Sequence, residues 1–229
     1  TGRMNWAILL YAIVLFPGVL LHELSHWLVA RLLGVRTGAI SLLPRVQEDG
    51  TLRLGYVEYY RSRSLGPLRE SLIGGAPLIS GMAVVLLVGF RVFDIANFSA
   101  AFRSGSVDDL GSALTILFTA PDFLVWLYLI FAVSNAMMPS PSDRRAWPPV
   151  LILLVVVALV LYLLDRQQVI IPGIMGSMSV VFGYLALALS LAIGVDAAFI
   201  FVIYLLEGLV SRIRGVQLIY ESIDAPSGE

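Results

Sequence analysis

Cysteine is absent from this 229-residue chain, so neither a disulfide framework nor a thiolate metal site can form. Lysine is absent too, and every basic residue is an arginine. Histidine occurs only twice, which confines imidazole chemistry to one place. Charge of either sign is scarce: charged residues make up 14% and the formal net charge is −1. A soluble domain has roughly a quarter of its residues charged, and a nucleic-acid-binding surface needs a basic excess. The first shortage argues against a domain bathed in water, and the second gives no electrostatic case for nucleic acid as a partner. Internal repeats and low-complexity tracts are missing as well.

Apolar residues take the place of what is absent. Hydrophobic residues make up 59% of the chain and the mean hydropathy is +0.89. Several runs reach the ~20 residues that cross a bilayer. The composition therefore predicts an all-α polytopic membrane protein, one domain over residues 1–229. The first span covers 6–33, with Pro17-Gly18 expected to kink or loosen it and Gly34 expected to stop it. That run is too long, and carries too many polar side chains, for a removed signal peptide. A polar insert follows at 34–70. Residues 39–43 and 51–60 read as strands with Asp49-Gly50 as the turn between them, which predicts a small β-hairpin.

The second span covers 71–92 and opens with Gly74-Gly75-Ala76-Pro77, small residues that let another helix or backbone come close. Residues 93–113, with Asp94, Asp108 and Asp109, read as a loop or interfacial segment. The third span covers 114–138, or starts only after Pro121, and the fourth covers 147–164. Residues 169–211 are too long for one simple span. They predict one span plus a re-entrant or tilted piece, or two spans broken at Gly194-Val195-Asp196. The total is five transmembrane helices, or six. Seven arginines from Arg31 to Arg69 place the insert in the cytoplasm. Arg144-Arg145 then falls on the same side. With five spans Arg212 and Arg214 do as well, whereas six would put them outside. Five spans with an external N-terminus is the preferred topology.

The two histidines are His22 and His26, in His22-Glu23-Leu24-Ser25-His26. Four residues apart, they share one face of a helix, where two imidazole nitrogens can hold one zinc ion. Glu23 beside them can reach a water at the metal as general base. The pattern arises by chance on soluble helices. Here residues 8–21 precede it with almost no polar side chain and Trp27-Leu28-Val29-Ala30 follows it. Ionisable groups in lipid are costly and default to function, which favours the metal. A catalytic zinc takes three protein ligands and keeps one open position. With no other histidine or cysteine, the third must be a carboxylate: Asp122, Asp143, Asp196 or Glu207. Asp143 follows Asn135-Ala-Met-Met-Pro139-Ser-Pro141-Ser, whose prolines end a helix and turn the chain back. It could equally be a loop aspartate paired with Arg144 and Arg145. The bland expectations for the other ionisable groups are a snorkelling Arg91 and Glu207, Asp122 as a helix N-cap, and Asp196 paired with an arginine or marking a helix break.

The stretch His22-Glu-Leu-Ser-His26-Trp-Leu-Val-Ala30-Arg-Leu-Leu-Gly34-Val-Arg resembles the zinc-motif helix of the site-2 proteases, intramembrane zinc metalloproteases. Their second motif, Asn-x-x-Pro-x-x-Pro-Leu-Asp-Gly, ends a later span. Asn135 and Asp143 keep its eight-residue separation, and Pro141 falls on its second proline. Met138, Ser142 and Arg144 stand where the motif has proline, leucine and glycine. Ala76-Pro77-Leu-Ile-Ser80-Gly81 looks like the family's small-residue motif. The resemblance covers 6–93 and 114–145, so it implies a protease core over 1–145 carrying the 34–70 insert. Residues 146–229 would add further helices and a short tail.

The resemblance also implies Zn2+ as cofactor, His22, His26 and Asp143 as its ligands, Glu23 as general base, and Asn135 near the substrate as a donor to the oxyanion. It implies peptide hydrolysis in a membrane-anchored protein substrate, in the inner membrane of a prokaryote, with the site toward the cytoplasm. The strand edge of the insert could hold an unwound substrate. Equally, the insert could be a plain cap with Tyr56, Tyr59 and Tyr60 as interfacial anchors. Two other readings compete: a catalytically silent relative acting as scaffold or complex subunit, and a CAAX-processing type of zinc protease that takes a glutamate as third ligand.

Overall fold

Backbone groups within lipid must be satisfied inside the segment that carries them, and the first apolar run answers with one long helix. The computed structural model describes residues 2–42, 45–46, 52–53, 55–59, 66–163 and 167–214. Helix α1 spans Gly2–Leu32 with Pro17 inside it. The helix continues through Pro17-Gly18, the pair expected to kink or loosen it. Gly18 has a different use. A Cβ there would strike the backbone carbonyl of Ala132 and lie 2.8 Å from the Ala136 Cβ, so the missing side chain lets α1 touch helix α5 (Phe123–Ala136). The expected stop is present. Gly34 takes a left-handed φ of 73°, its N–H donates to Arg31, and the Val35 N–H donates to Ala30 at 2.8 Å. This pairing satisfies the last carbonyls of a helix, and buried Ala30 and Val35 pack with Ile73 beneath it.

The insert forms the expected antiparallel arm. Strand β1 (Thr37–Ser41) pairs with β4 (Tyr56–Tyr59), with Ile40 opposite Val57 and a register shift between Thr37 and Ile40. Strand β2 (Arg45–Val46) pairs with β3 (Leu52–Arg53). The Asp49-Gly50 turn and Tyr60 lie outside the described residues. The arm packs back on α1.

Helix α2 (Pro67–Arg91) opens on a proline, with Glu70 in the first turn and Arg91 in the last, the order the helix dipole favours. Residues 93–113 are a correction to the loop reading. Helices α3 (Ile95–Ser104) and α4 (Val107–Phe118) occupy them. Ser106 caps α4 through the Asp109 N–H, and Asp108 and Asp109 sit in its first turn, so polar residues taken as a loop signal act as helix-start chemistry. Helix α5 begins at Phe123, after Pro121. Asp122 occupies the N-cap position, but with a φ of 54° and no side-chain cap bond, so the expected capping bond does not form.

Helix α6 (Trp147–Leu163) has no buried residue, as suits a lipid-facing span. Helix α7 (Gln167–Arg214) is continuous, which overturns the alternative of two spans broken at Gly194-Val195-Asp196. An exposed helical glycine costs only about 1 kcal/mol, less than leaving backbone groups unbonded in lipid. Among the described residues four helices are long and apolar enough to cross a membrane, five if α4 and α5, bent by 87° at residues 119–122, count as one span. That fits an all-α polytopic protein, with the preferred five spans reached when the bent pair is one span, and the unbroken α7 supplies no sixth. The core lies between α2, α5 and α7, where Val85, Val88, Ile130, Val133, Ala188 and Val195 are buried together.

The contact at Gly18 gives a stability test. Gly18→Ala should lower the melting temperature in detergent micelles, because overpacking costs about 1–3 kcal/mol at roughly 2–4 °C per kcal/mol. Gly111→Ala, on open α4 surface, should leave it unchanged or raise it.

Candidate metal centre

An imidazole buried in a helix bundle needs a partner for each ring nitrogen. The Nδ1 atoms of both histidines meet backbone carbonyls: His22 with Ala136 at 2.6 Å and His26 with Ile73 at 2.8 Å. A carbonyl only accepts, so each Nδ1 carries the hydrogen and donates it. In the neutral ring that leaves Nε2 as a bare lone pair, the form a metal ligand takes. The helical spacing then aims both Nε2 atoms at one point, 3.1 Å apart.

Asp143 closes the group. It opens a short 3-10 turn, Asp143–Ala146, after α5 has ended. Its Oδ1 lies 3.3 Å from His26 Nε2 and its Oδ2 3.8 Å from His22 Nε2. Ser140 fixes the carboxylate, donating to Oδ2 from its backbone N–H at 2.8 Å and from its hydroxyl at 2.6 Å. Among the described residues His22, His26 and Asp143 form the one group of this kind able to hold a metal ion. Asp122, Asp196 and Glu207 stand outside it, and it holds no glutamate. Arg144 and Arg145 are exposed, and the ion-pair partners of Asp143 among the described residues are the two histidines.

The donor set fits zinc. With both rings neutral, three lone-pair donors converge on one point. Ligands about 2.0–2.1 Å from a tetrahedral zinc stand roughly 3.3 Å apart, close to the 3.1 Å between the two Nε2 atoms and the 3.3 Å from His26 Nε2 to Asp143 Oδ1. Three protein ligands leave a fourth position open. The C-terminal end of α5, which points its Ala136 carbonyl at His22, adds the negative end of a helix dipole beside a cation.

Two glycines make room. A Cβ at Gly74 would strike the backbone carbonyl of Asp143, so this glycine of α2 seats the third donor. The close approach expected from the small residues of α2 occurs here, while Gly75 faces open space. Gly55, just before β4, would place a Cβ 2.9 Å from Glu23 Cγ, so the backbone of the insert lies directly on Glu23. The glutamate is 7% exposed.

Asn135 is the residue before Ala136, the last of α5, exposed, with its side chain already engaged. Its Nδ2 donates to the Phe131 carbonyl at 2.8 Å and to Asp196 Oδ1 at 3.1 Å. Both amide hydrogens are committed, so the donor expected for an oxyanion is not free in this arrangement. The acceptor Oδ1 is what the side chain has left to offer. Asp196, on α7, also accepts from the Ser134 hydroxyl at 2.8 Å. Among the described residues it pairs with no arginine, and it marks no helix break. The link across 61 residues left no local pattern to read. The Ile73 and Ala136 carbonyls and Ser140 were likewise missed, although Pro77, four residues after Ile73, was a readable sign.

A protein of Methanocaldococcus jannaschii named zinc metalloprotease MJ0392 is 36% identical over 98 residues, covering 39% of this chain and 23% of that protein. The aligned part is thus less than a quarter of the relative's length. No family model matches the chain, and no solved structure matches it.

Seating of Asp143 on Gly74 is open to a direct measurement. Gly74→Ala should weaken zinc binding by about 10–100-fold, the usual effect of disturbing an outer-shell partner, read by competition with a chelator. Gly75→Ala should leave the affinity unchanged. Equal affinities for the two variants would show that Asp143 is not held by this contact.

Proposed function

We propose that this protein is an intramembrane zinc endopeptidase of the site-2 protease type, cutting membrane-anchored protein substrates. The observation that carries the reading is the convergence of His22, His26 and Asp143 from two separate segments, with both histidines fixed through Nδ1. The partial likeness to a protein named as a zinc metalloprotease supports a metalloprotease activity in general. The intramembrane substrate is inferred from the setting of the ligands, two of which lie on a helix apolar enough to cross a bilayer.

When bound, zinc would polarise the scissile carbonyl and lower the pKa of a water. The chain supplies the rest. Glu23, adjacent to His22 on α1, takes a proton from the attacking water and returns it to the leaving amine. Asn135 presents its side-chain oxygen as acceptor for a substrate backbone N–H, while Asp196 holds the amide in that orientation. An unwound stretch of substrate lies along the β1–β4 sheet, whose backbone reaches Glu23 at Gly55. Backbone pairing at a strand edge holds an extended peptide whatever its side chains. The arginine-rich insert faces the cytoplasm, which places the site toward that side of a prokaryotic inner membrane.

Arg144, next to Asp143 in the chain, is exposed and forms no ion pair with the carboxylate, which counts against a scaffold whose third ligand has been lost to an arginine. The CAAX-type reading asks for a glutamate ligand, and an aspartate completes the group.

Glu23→Gln should reduce cleavage of a reporter transmembrane helix by about 10²–10⁴-fold at unchanged zinc content. Undiminished cleavage would remove Glu23 from the reaction, and an inert wild-type protein that binds zinc would restore the scaffold. Asp196→Ala should lower kcat/KM roughly tenfold or more through misplacement of Asn135, again with zinc binding intact. A parallel loss of zinc would instead make Asp196 part of the metal centre.

A further inference from the structure

Ile73 is completely buried and lies inside α2. In a regular helix its carbonyl accepts the N–H of the residue four positions on. That residue is Pro77, also inside α2, and proline has no N–H to give. The helix therefore carries one orphan carbonyl, away from water, and it is this oxygen that stands 2.8 Å from His26 Nδ1. The other histidine follows the same logic by another route. Helix α5 ends at Ala136. The N–H that would have continued it, on Ser140, donates to Asp143 Oδ2 instead, and the Ala136 carbonyl is left to His22.

We propose that Pro77 is a positioning residue of the metal centre: by withholding an N–H from the Ile73 carbonyl, it reserves that oxygen for the Nδ1–H of His26 and so aims Nε2 at the metal. The inference rests on the metal reading above but is narrower. A proline in mid-helix has an ordinary explanation, a kink that shapes packing, and Pro77 is itself fully buried. The two explanations differ over what matters at position 77. Packing depends on the ring. Reservation of the carbonyl depends on the absence of a hydrogen.

Two replacements separate them in the full chain in detergent micelles. Pro77→Ala restores the N–H and removes the ring. The α-hydroxy-acid analogue of alanine at position 77, which makes a backbone ester, removes the ring without restoring the N–H. Two readouts are taken: zinc affinity by chelator competition, and the ring-nitrogen NMR signals of 15N-labelled histidine in metal-free protein, simple because only His22 and His26 contribute.

In the wild type the His26 proton should reside on Nδ1. Pro77→Ala should move it partly to Nε2 and weaken zinc binding by about 10–100-fold, with the His22 signals unchanged. The ester variant should match the wild type in both measurements. Wild-type behaviour of Pro77→Ala would overturn the proposal. So would an ester variant as impaired as Pro77→Ala, or His22 signals disturbed as much as those of His26, since either result assigns the effect to the ring and its packing. A wild type that binds no zinc would sink the metal reading, while the His26 signals in the three metal-free proteins would still decide the role of Pro77.

Discussion

Two hydrogen bonds from imidazole Nδ1 to backbone carbonyl, His22 to Ala136 and His26 to Ile73, fix what everything else at this site can do. Without them each ring would be free to turn and either nitrogen could carry the hydrogen. With them, two Nε2 lone pairs face one another at 3.1 Å with a carboxylate alongside. A buried polar group without a partner costs about 1–3 kcal/mol, and here three acceptors share one small space. A cation is the partner that satisfies all of them together. The carbonyls come from α2 and α5, not from the helix that carries the histidines, so the centre exists only while three helices remain in contact.

What keeps them in contact is the removal of side chains more than the burial of large ones. Lipid tails are as apolar as leucine, so helices in a bilayer gain little from hiding hydrophobic surface and associate through close packing. Gly18 admits α5 onto α1, Gly74 admits the Asp143 turn onto α2, and a Cβ at Gly81 would lie within contact of Met137 just past the end of α5. Each contact falls within a few residues of a metal donor or of the carbonyl that orients one. Helix α6, by contrast, buries nothing. Helix α7 contributes at one level, where Ala188, Ala192 and Val195 are buried and Asp196 engages α5. The geometry of the metal-binding group and the association of the helices are thus the same set of contacts.

The sequence exposed the parts of this design that repeat at a local spacing. Two histidines one turn apart, a hairpin alternation, a glycine at a helix end and runs of lipid-compatible length can each be read from neighbours along the chain. Residues alone left four carboxylates open as third ligand, and only the likeness to a known motif pointed to Asp143. The misreadings share a cause. Polar residues at 94–109 looked like loop because Asp and Ser favour turns, yet the same residues start helices. Gly194 and Asp196 looked like a break because such residues end helices in water, where water competes for the backbone. In lipid it does not, and the aspartate found Ser134 and Asn135 instead. The engaged amide of Asn135 was beyond reach for another reason, since its partner lies on a helix whose placement no local pattern encodes.

Depth supplies the last constraint. The lipid-compatible part of α1 runs from Ile8 to Leu32, and at 1.5 Å per residue His26 stands about 9 Å from its Leu32 end, against about 27 Å from Ile8. Helix α5 is only 14 residues long, about 21 Å, so by itself it falls short of a hydrocarbon layer of roughly 30 Å. A short helix leaves its end, and the polar turn that follows, within the depth of longer neighbours, and Asp143 is delivered to the histidines in this way. The nearer end of α1 is also the end from which the β-arm emerges and folds back onto Glu23. On the proposed hydrolytic reading, the shorter distance to the end of α1 favours entry of water by a route from the arm side. The segment best placed to hold an unwound peptide stands beside that route. The proposed intramembrane hydrolysis needs water and an extended substrate at one point, and the offset of the histidines toward one end of α1 shortens the distance over which both would have to travel.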